Sequence, residues 1–331
     1  MKEKSMSPIN NKSTVLNTFW ALVMLPLLMI SSPSFGQLNE SNYKIYSVKL
    51  NKEVSLTDIA EEMITADVLL FGEEHNDSVA HHLQIKMLET LYLKFNNNIA
   101  LSMEMFDRDV QLVMDEYLQG NIREKNFTKD ARAWKNYRDY KPMVEFAKEK
   151  KLNVICGNAP SRYTNLAGRK GPSALKELSA ESKKNFAPLP YDTASGKYYE
   201  KLMALTSHDA PVANDTSALK MPPMPAMGNF NMIPAQSLWD ATMAYSIASY
   251  LKQNKGRKVL QVNGRFHSDE GFAIVTQLKK YNSKIKSLII SAGSDESFPD
   301  IDWNKHKHLG DYIIITDPGC TQNLSGISSA F

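Results

Sequence analysis

Two cysteines in 331 residues leave no room for a disulfide scaffold, and the chain has no C-x-x-C pair. That excludes zinc ribbons and covalent c-type haem attachment. An excess of one charge is also lacking. There are 39 Lys+Arg against 36 Asp+Glu, a formal net charge of +3, so nothing chain-wide points to nucleic acid or an anionic membrane as partner. No G-x-S-x-G is present, and Cys156 has no identifiable activating partner, so a Ser or Cys nucleophile is not in evidence. Repeats of 20–50 residues are absent, and no apolar run approaches the roughly 20 residues that a membrane span requires. What is present is a chain that is 43% hydrophobic and 23% charged. That composition is close to the average for globular proteins, with length for one large domain or two smaller ones.

The N-terminus reads as a targeting segment. Lys2, Lys4 and Lys12 precede an apolar run, Phe19–Ile30, and Ser31-Ser32-Pro33 breaks it. A run of this length suits the apolar region of a signal peptide better than a span. Ser34-Phe35-Gly36 places small residues where a signal peptidase inspects them, so residues 1–36 are expected to be removed, leaving Gln37 first. No cysteine lies near the cut for lipid attachment. The expected location is therefore exported, periplasmic or outer-membrane-associated, without lipobox lipidation. In that compartment Cys156 and Cys320 could oxidise, but nothing in the sequence pairs them.

Beyond it, short apolar runs alternate with helical patterns. Candidate strands are Asp67–Phe71, Ile99–Met103, Asn153–Cys156, Lys258–Val262, Lys286–Ile290 and Tyr312–Thr316. Each is bounded by turn or charged residues, as buried strands of a parallel sheet are. Val79, Leu83, Leu88, Leu91 and Phe95 mark a helix capped by Asp77 or Ser78. Val110 to Leu118, closed by Gly120, and Leu238 to Leu251 mark two more. The alternation predicts an α/β fold with a mostly parallel central sheet flanked by helices. From Asn158 to Ala235 no strand is evident, and the stretch is too long for a crossover loop. We expect residues 158–235 to form a helical cap insertion over a core made of residues 37–157 and 236–331.

The most informative feature is a pair of Gly-x-x-His turns. The first candidate strand runs into Gly72-Glu73-Glu74-His75, the fourth into Gly264-Arg265-Phe266-His267, and the second into Met103-Glu104. In open α/β sheets ligands bind at the carboxyl ends of strands, and a glycine there lets the chain turn tightly. Two imidazoles, carboxylates and an arginine on one rim suit a metal, a phosphate or a polarised carbonyl. His75, Glu104 and His267 are the candidate ligands for a divalent metal, with Arg265 to hold a developing oxyanion.

The blocks VLLFGEEHNDSVAHHLQ, LSMEMFDRDVQLVMDEYLQG, YKPMVEFAKEKKLNVICGNAPSRY, AQSLWDATMAY and VLQVNGRFHSDEGFAI, in this order, resemble the ChaN-like haem-binding proteins. These belong to a wider group with the Tiki/TraB and erythromycin-esterase-like proteins. The resemblance implies an α/β core with a helical cap, and haem binding in the periplasm or at the outer membrane, linked to iron uptake. It further implies a homodimer around two face-to-face haems. A tyrosine of one subunit would ligate each iron, and a histidine and a lysine of the other would hold the propionates. Those relatives are lipoproteins, and this chain lacks the lipobox cysteine. Ferric iron is hard and prefers a phenolate. The segment from Leu189 to Glu200 offers Tyr191, Tyr198 and Tyr199, with Lys197, Lys201 and His208 near for propionates. Met221, Met224, Met227 and Met232 suit a plastic apolar loop, a haem face or a Cu(I) site. Trp134, Tyr137, Asp139 and Tyr140 form an aromatic cluster to which the sequence assigns no chemistry. Two readings stand: a haem-binding protein of an uptake system without chemical turnover, which the resemblance favours, and a metal-dependent hydrolase built on the paired turns.

Overall fold

The structure is a computed structural model and describes residues 40–206 and 230–323. Eight strands form one sheet: β1 (Tyr43–Ser47), β2 (Lys52–Glu53), β3 (Val68–Glu73), β4 (Ile99–Asp107), β5 (Val154–Asn158), β6 (Lys258–Gly264), β7 (Ser287–Ser294) and β8 (Tyr312–Thr316). The order is β2-β1-β8-β7-β3-β6-β4-β5. All six strands expected from the sequence are there, and from β8 to β5 they run parallel. The mostly parallel α/β fold is thus observed. The sequence reading missed the antiparallel edge, in which β1 pairs with β8 and turns back into β2. Those strands are short, β1 only partly buried and β2 exposed, so they lack the apolar runs that reveal the others.

Side chains alternate between the two faces of the sheet, and each face buries a separate core. Leu69, Phe71, Leu101, Met103, Leu260 and Val262 pack on one side beneath the helices Ser78–Phe95 and Tyr137–Lys150. Val68, Leu70, Ala100 and Val259 pack on the other against the long helix Met232–Gln253 and the helix Ala273–Tyr281. Asp77 caps the helix Ser78–Phe95, accepting from the amides of Val79 and Ala80 at 2.9 and 3.0 Å.

Between β5 and β6 the described residues contain helices and no strand. The helix Ser161–Lys170 lies on the long helix, where Tyr163, Ala167, Phe186 and Tyr191 pack with Leu238 and Ala241. The helix Gly196–Thr206 docks through Tyr198 and Leu202 onto Ile233 and Ala273. The long helix runs unbroken through positions 235 and 236, where the sequence suggests the edge of the insertion. His208, Met221, Met224, Met227 and the signal segment lie outside the described residues.

One substitution tests how tightly the sheet rim is built. A Cβ at Gly72 would stand 2.7 Å from the Cα of Arg265 and 2.7 Å from Ser268 Oγ. Backbone cannot move aside as a side chain can, so Gly72→Ala is expected to cost about 1–3 kcal/mol. Urea denaturation should show the lowered midpoint, and an unchanged midpoint would mean that the turns are further apart than described.

Candidate functional site

The topology reverses direction at β3 and β6. β3 lies between β6 and β7. The chain leaving β3 passes over β6 to reach β4, and the chain leaving β6 passes over β3 to reach β7. The two turns therefore part in opposite directions, which opens a crevice at their carboxyl ends. Both Gly-x-x-His turns stand there, with Glu104 of β4 beside them.

Glu73, the last residue of β3, is almost wholly buried and satisfied on every side. Its Oε1 accepts from Tyr140 at 2.6 Å and meets His75 Nδ1 at 2.8 Å. Its Oε2 accepts from Gln84 at 2.5 Å and pairs with His81 Nδ1 at 3.1 Å. Burial alone would push this carboxyl up, but the paired charges of His81 and His75 outweigh it and hold Glu73 at about 2. Burial likewise opposes a charge on His81, yet Glu73 raises it to about 9. His81 Nε2 also reaches the backbone carbonyl of His75 at 3.2 Å and so fixes the turn.

A second network lies across the crevice. His267 is enclosed between two carboxylates, with Nδ1 2.5 Å from Asp240 Oδ1 and Nε2 3.5 Å from Glu104 Oε1. Burial disfavours its charge, but Glu104 and Asp240 together raise it to about 10. Asp240 projects from the long helix and accepts a further bond from Tyr198 at 2.7 Å. Glu104 accepts from the Gly264 amide at 2.7 Å. His75 and Glu104 converge at Gly264. A Cβ built there would lie 2.8 Å from His75 Nε2 and 3.7 Å from Glu104 Oε2, which is why glycine occupies the position. Arg265 does not point at Glu104. Its Nη1 donates to Glu74 at 2.8 Å and its Nε to Asp269 at 3.1 Å.

The structure thus brings His75, Glu104 and His267 to one rim, but it does not support the divalent metal. Among the described residues no group of three His, Cys, Asp or Glu side chains is arranged to hold an ion. The physical reason is protonation. A ligating imidazole must offer a lone pair, and His267 is held as an imidazolium by carboxylates at both nitrogens. Sequence reasoning also missed half the site. His81, Gln84, Tyr140 and Asp240 come from helices; Tyr140 stood in the aromatic cluster without an assigned role, and Asp240 left only a local trace on its helix. Tyr137 packs against Phe106 and Phe127 instead.

The tyrosines proposed for iron divide sharply. Tyr191 is buried and donates to the carbonyl of Pro234 at 2.8 Å. Tyr198 is buried on Asp240, and burial pushes both phenols up, away from phenolate. Tyr199 is 43% exposed, Met203 one turn on is 42% exposed, and Lys197 is exposed too. Lys201 is held by Glu270 at 2.8 Å. Cys156 is buried and free, and Cys320 is free at intermediate exposure, so the two are not bridged.

A family model described as haem-binding uptake, Tiki superfamily, ChaN matches residues 59–278. No curated protein is significantly similar to the chain in sequence. Among solved structures, ChaN of Campylobacter jejuni with cofacial haem is 18% identical, with TM-score 0.59 over 84% of this chain and 98% of that one. The type III effector HopBA1 is 12% identical, with TM-score 0.42 over 85% and 99%. A succinoglycan biosynthesis protein is 13% identical, with TM-score 0.41 over 72% and 69%.

Proposed function

Because the chain belongs to the ChaN family of haem-binding uptake proteins in the Tiki superfamily, we propose that it binds haem as the cargo of a bacterial iron- or haem-uptake system. The match across residues 59–278 carries this reading. The residues present fit the ligand. Haem needs a phenolate or comparable donor for ferric iron, apolar surface for the macrocycle and cations for its propionates. The outward face of the helix Gly196–Thr206 offers Tyr199 and Met203 one turn apart, and Lys197 is close in sequence. Tyr191 and Tyr198 are committed to internal hydrogen bonds, so Tyr199 is the phenol of the three that can reach a ligand from outside. A homodimer around cofacial haems, like that suggested by the resemblance to ChaN, would cover this exposed face. Export with loss of residues 1–36, periplasmic or outer-membrane-associated residence and hand-over to an outer-membrane transport component complete the proposal.

Titration of the haem-free protein with ferric haemin should produce a tyrosinate-type spectrum at micromolar haemin. Tyr199→Phe keeps the ring and removes the ligand, so it should abolish that spectrum, while Tyr191→Phe should leave it unchanged. A wild type that does not bind haemin discards the reading. A spectrum preserved in Tyr199→Phe moves the ligand elsewhere.

A further inference from the structure

We propose that the edge of the sheet at which the parallel strands begin is a docking surface for an anionic phospholipid bilayer. The proposal is independent of haem binding and of the crevice at the opposite edge.

Charge is the first observation. The segments that meet at this edge are 48–52, 61–67, 92–98, 148–153, 252–258, 279–286 and 309–311. Together they hold fourteen Lys and Arg against five Asp and Glu. The turns leaving β3, β4 and β6 at the other edge, residues 73–77, 104–110 and 264–271, hold two Arg against eight Asp and Glu. A chain whose net charge is only +3 is thus strongly polarised along its strands. Such a field turns the basic end toward an anionic surface. Helix dipoles account for part of the excess. Six of the fourteen cations stand in the last turns of helices that end here, where the partial negative charge favours them. The rest lie in the loops and strand ends between. Of these, Lys52, Lys151, Lys255, Lys284 and Lys286 are exposed and form no ion pair among the described residues. Asp192, from outside these segments, neutralises Lys280 alone.

Exposed apolar side chains are the second observation, and they decide the class of partner. Leu50 is 53% exposed, Ile64 53% and Leu93 80%. All three stand on this edge: Leu50 in the turn from β1 to β2, Ile64 in the segment entering β3, and Leu93 in the last turn of the helix Ser78–Phe95. Lys258 ties two of these segments together, donating to the Ile64 carbonyl at 3.1 Å and lying 5.2 Å from the centre of the Phe95 ring. Nucleic acid would use the cations but offer leucine and isoleucine no apolar medium. A bilayer takes both, with phosphates against the lysines and the acyl boundary around the apolar tips. Thirteen of the fourteen cations are lysines. Lysine is a flexible point charge that suits mobile headgroups, whereas fixed phosphates favour the fork of arginine. No helix among the described residues is long and apolar enough to cross a membrane, so the contact is peripheral.

Orientation follows from the same geometry. The helix Gly196–Thr206 sits on Ile233 and Ala273, at the starts of the two helices whose far ends reach the basic edge. Docking therefore holds that helix on the side away from the bilayer.

The test uses the haem-free chain from Gln37, which forms a compact unit with every strand and each packed core, and co-sedimentation with vesicles. We expect binding to equal parts phosphatidylglycerol and phosphatidylcholine, none to phosphatidylcholine alone, and weakening as salt rises. Replacing Lys255, Lys284 and Lys286 together with Gln should weaken binding about 10²-fold, and Leu93→Ser about 10-fold. Replacing Lys125, Lys129 and Lys135 together with Gln removes as much charge from exposed positions beside Arg132, which pairs with Asp107 and Asp109 of the acidic side. That variant should bind as the wild type does. Circular dichroism checks that each variant folds. Failure of the wild type to bind anionic vesicles, equal binding to neutral ones, or equal losses in the two lysine triples overturns the proposal. Undiminished binding by Leu93→Ser overturns it too, and capture of a DNA duplex by that variant would then assign the edge to nucleic acid. Because haem is absent throughout, failure here leaves the haem reading to its own titration.

Discussion

Glu73→Gln is expected to lower stability by about 3–5 kcal/mol, among the largest effects of any single substitution in the sheet. The carboxylate is buried and meets four partners: Tyr140, Gln84, His75 and His81. Glutamine keeps the volume, so the loss is not one of packing. It removes the charge that holds His81 protonated, and its amide places hydrogens where the partners also bring hydrogens. At least one buried donor is then left without an acceptor. Urea denaturation measures the loss. Adding His81→Gln in a double-mutant cycle should return about 0.5–3 kcal/mol, because the second change removes the orphaned cation. Additivity of the two substitutions would mean that the 3.1 Å contact between Glu73 and His81 carries no energy. Loss of less than about 1 kcal/mol in Glu73→Gln alone would mean that the network is hydrated rather than buried.

What the sequence disclosed and what it hid follow one division. The parallel strands were legible because each is an uninterrupted apolar run between polar turns; the glycines at 72 and 264 were legible as strand-end glycines, but what requires them is close approach, by Arg265 and Ser268 at 72 and by His75 at 264. His75, Glu104 and His267 could be grouped because all three follow or end strands of one sheet, and such ends share an edge. Of the remaining partners, His81 and Gln84 sit on the helix that follows β3, whereas Tyr140 and Asp240 arrive from helices further along the chain. Tyr140 is 67 residues from Glu73, and Asp240 is 27 from His267. Asp240 did carry a local trace, an acid between Leu238 and Ala241 on the buried stripe of a helix, where an unpaired charge is not tolerated. Protonation was the hidden quantity. An isolated histidine in a sequence reads as a ligand, and only the placement of Glu104 and Asp240 on either side converts His267 to a cation. The same limit applies to the tyrosines. Tyr198 and Tyr199 are neighbours of identical type, and helix rotation alone turns one inward to Asp240 and the other outward.

Stability should peak between about pH 4.5 and 6.5 and fall on both sides. Glu73 has an ordinary value of 4.5 and stands at about 2 in the fold. Its contribution, about 3 kcal/mol, is present above pH 4.5 and is lost as pH falls toward 2. His267 works in the opposite sense. It rises from 6.5 to about 10, so its contribution of about 5 kcal/mol is complete below pH 6.5 and drains away as pH climbs toward 10. His81, raised to about 9, adds to the alkaline limb, but its stabilisation is the Glu73 contact seen from the other partner and is counted once. Asp240 and Asp269 are raised by burial. Carboxyls shifted in that direction favour the fold at low pH and lose their contribution as pH rises through the folded value, so they flatten the acid limb. Urea midpoints taken at intervals from pH 3 to pH 10 measure the profile. His267→Gln should remove most of the decline above pH 6.5, since glutamine carries no titrating proton between Glu104 and Asp240. A wild-type midpoint that stays level from pH 6.5 to pH 9.5 would show that His267 is neutral between its carboxylates and keeps a lone pair that a metal could take.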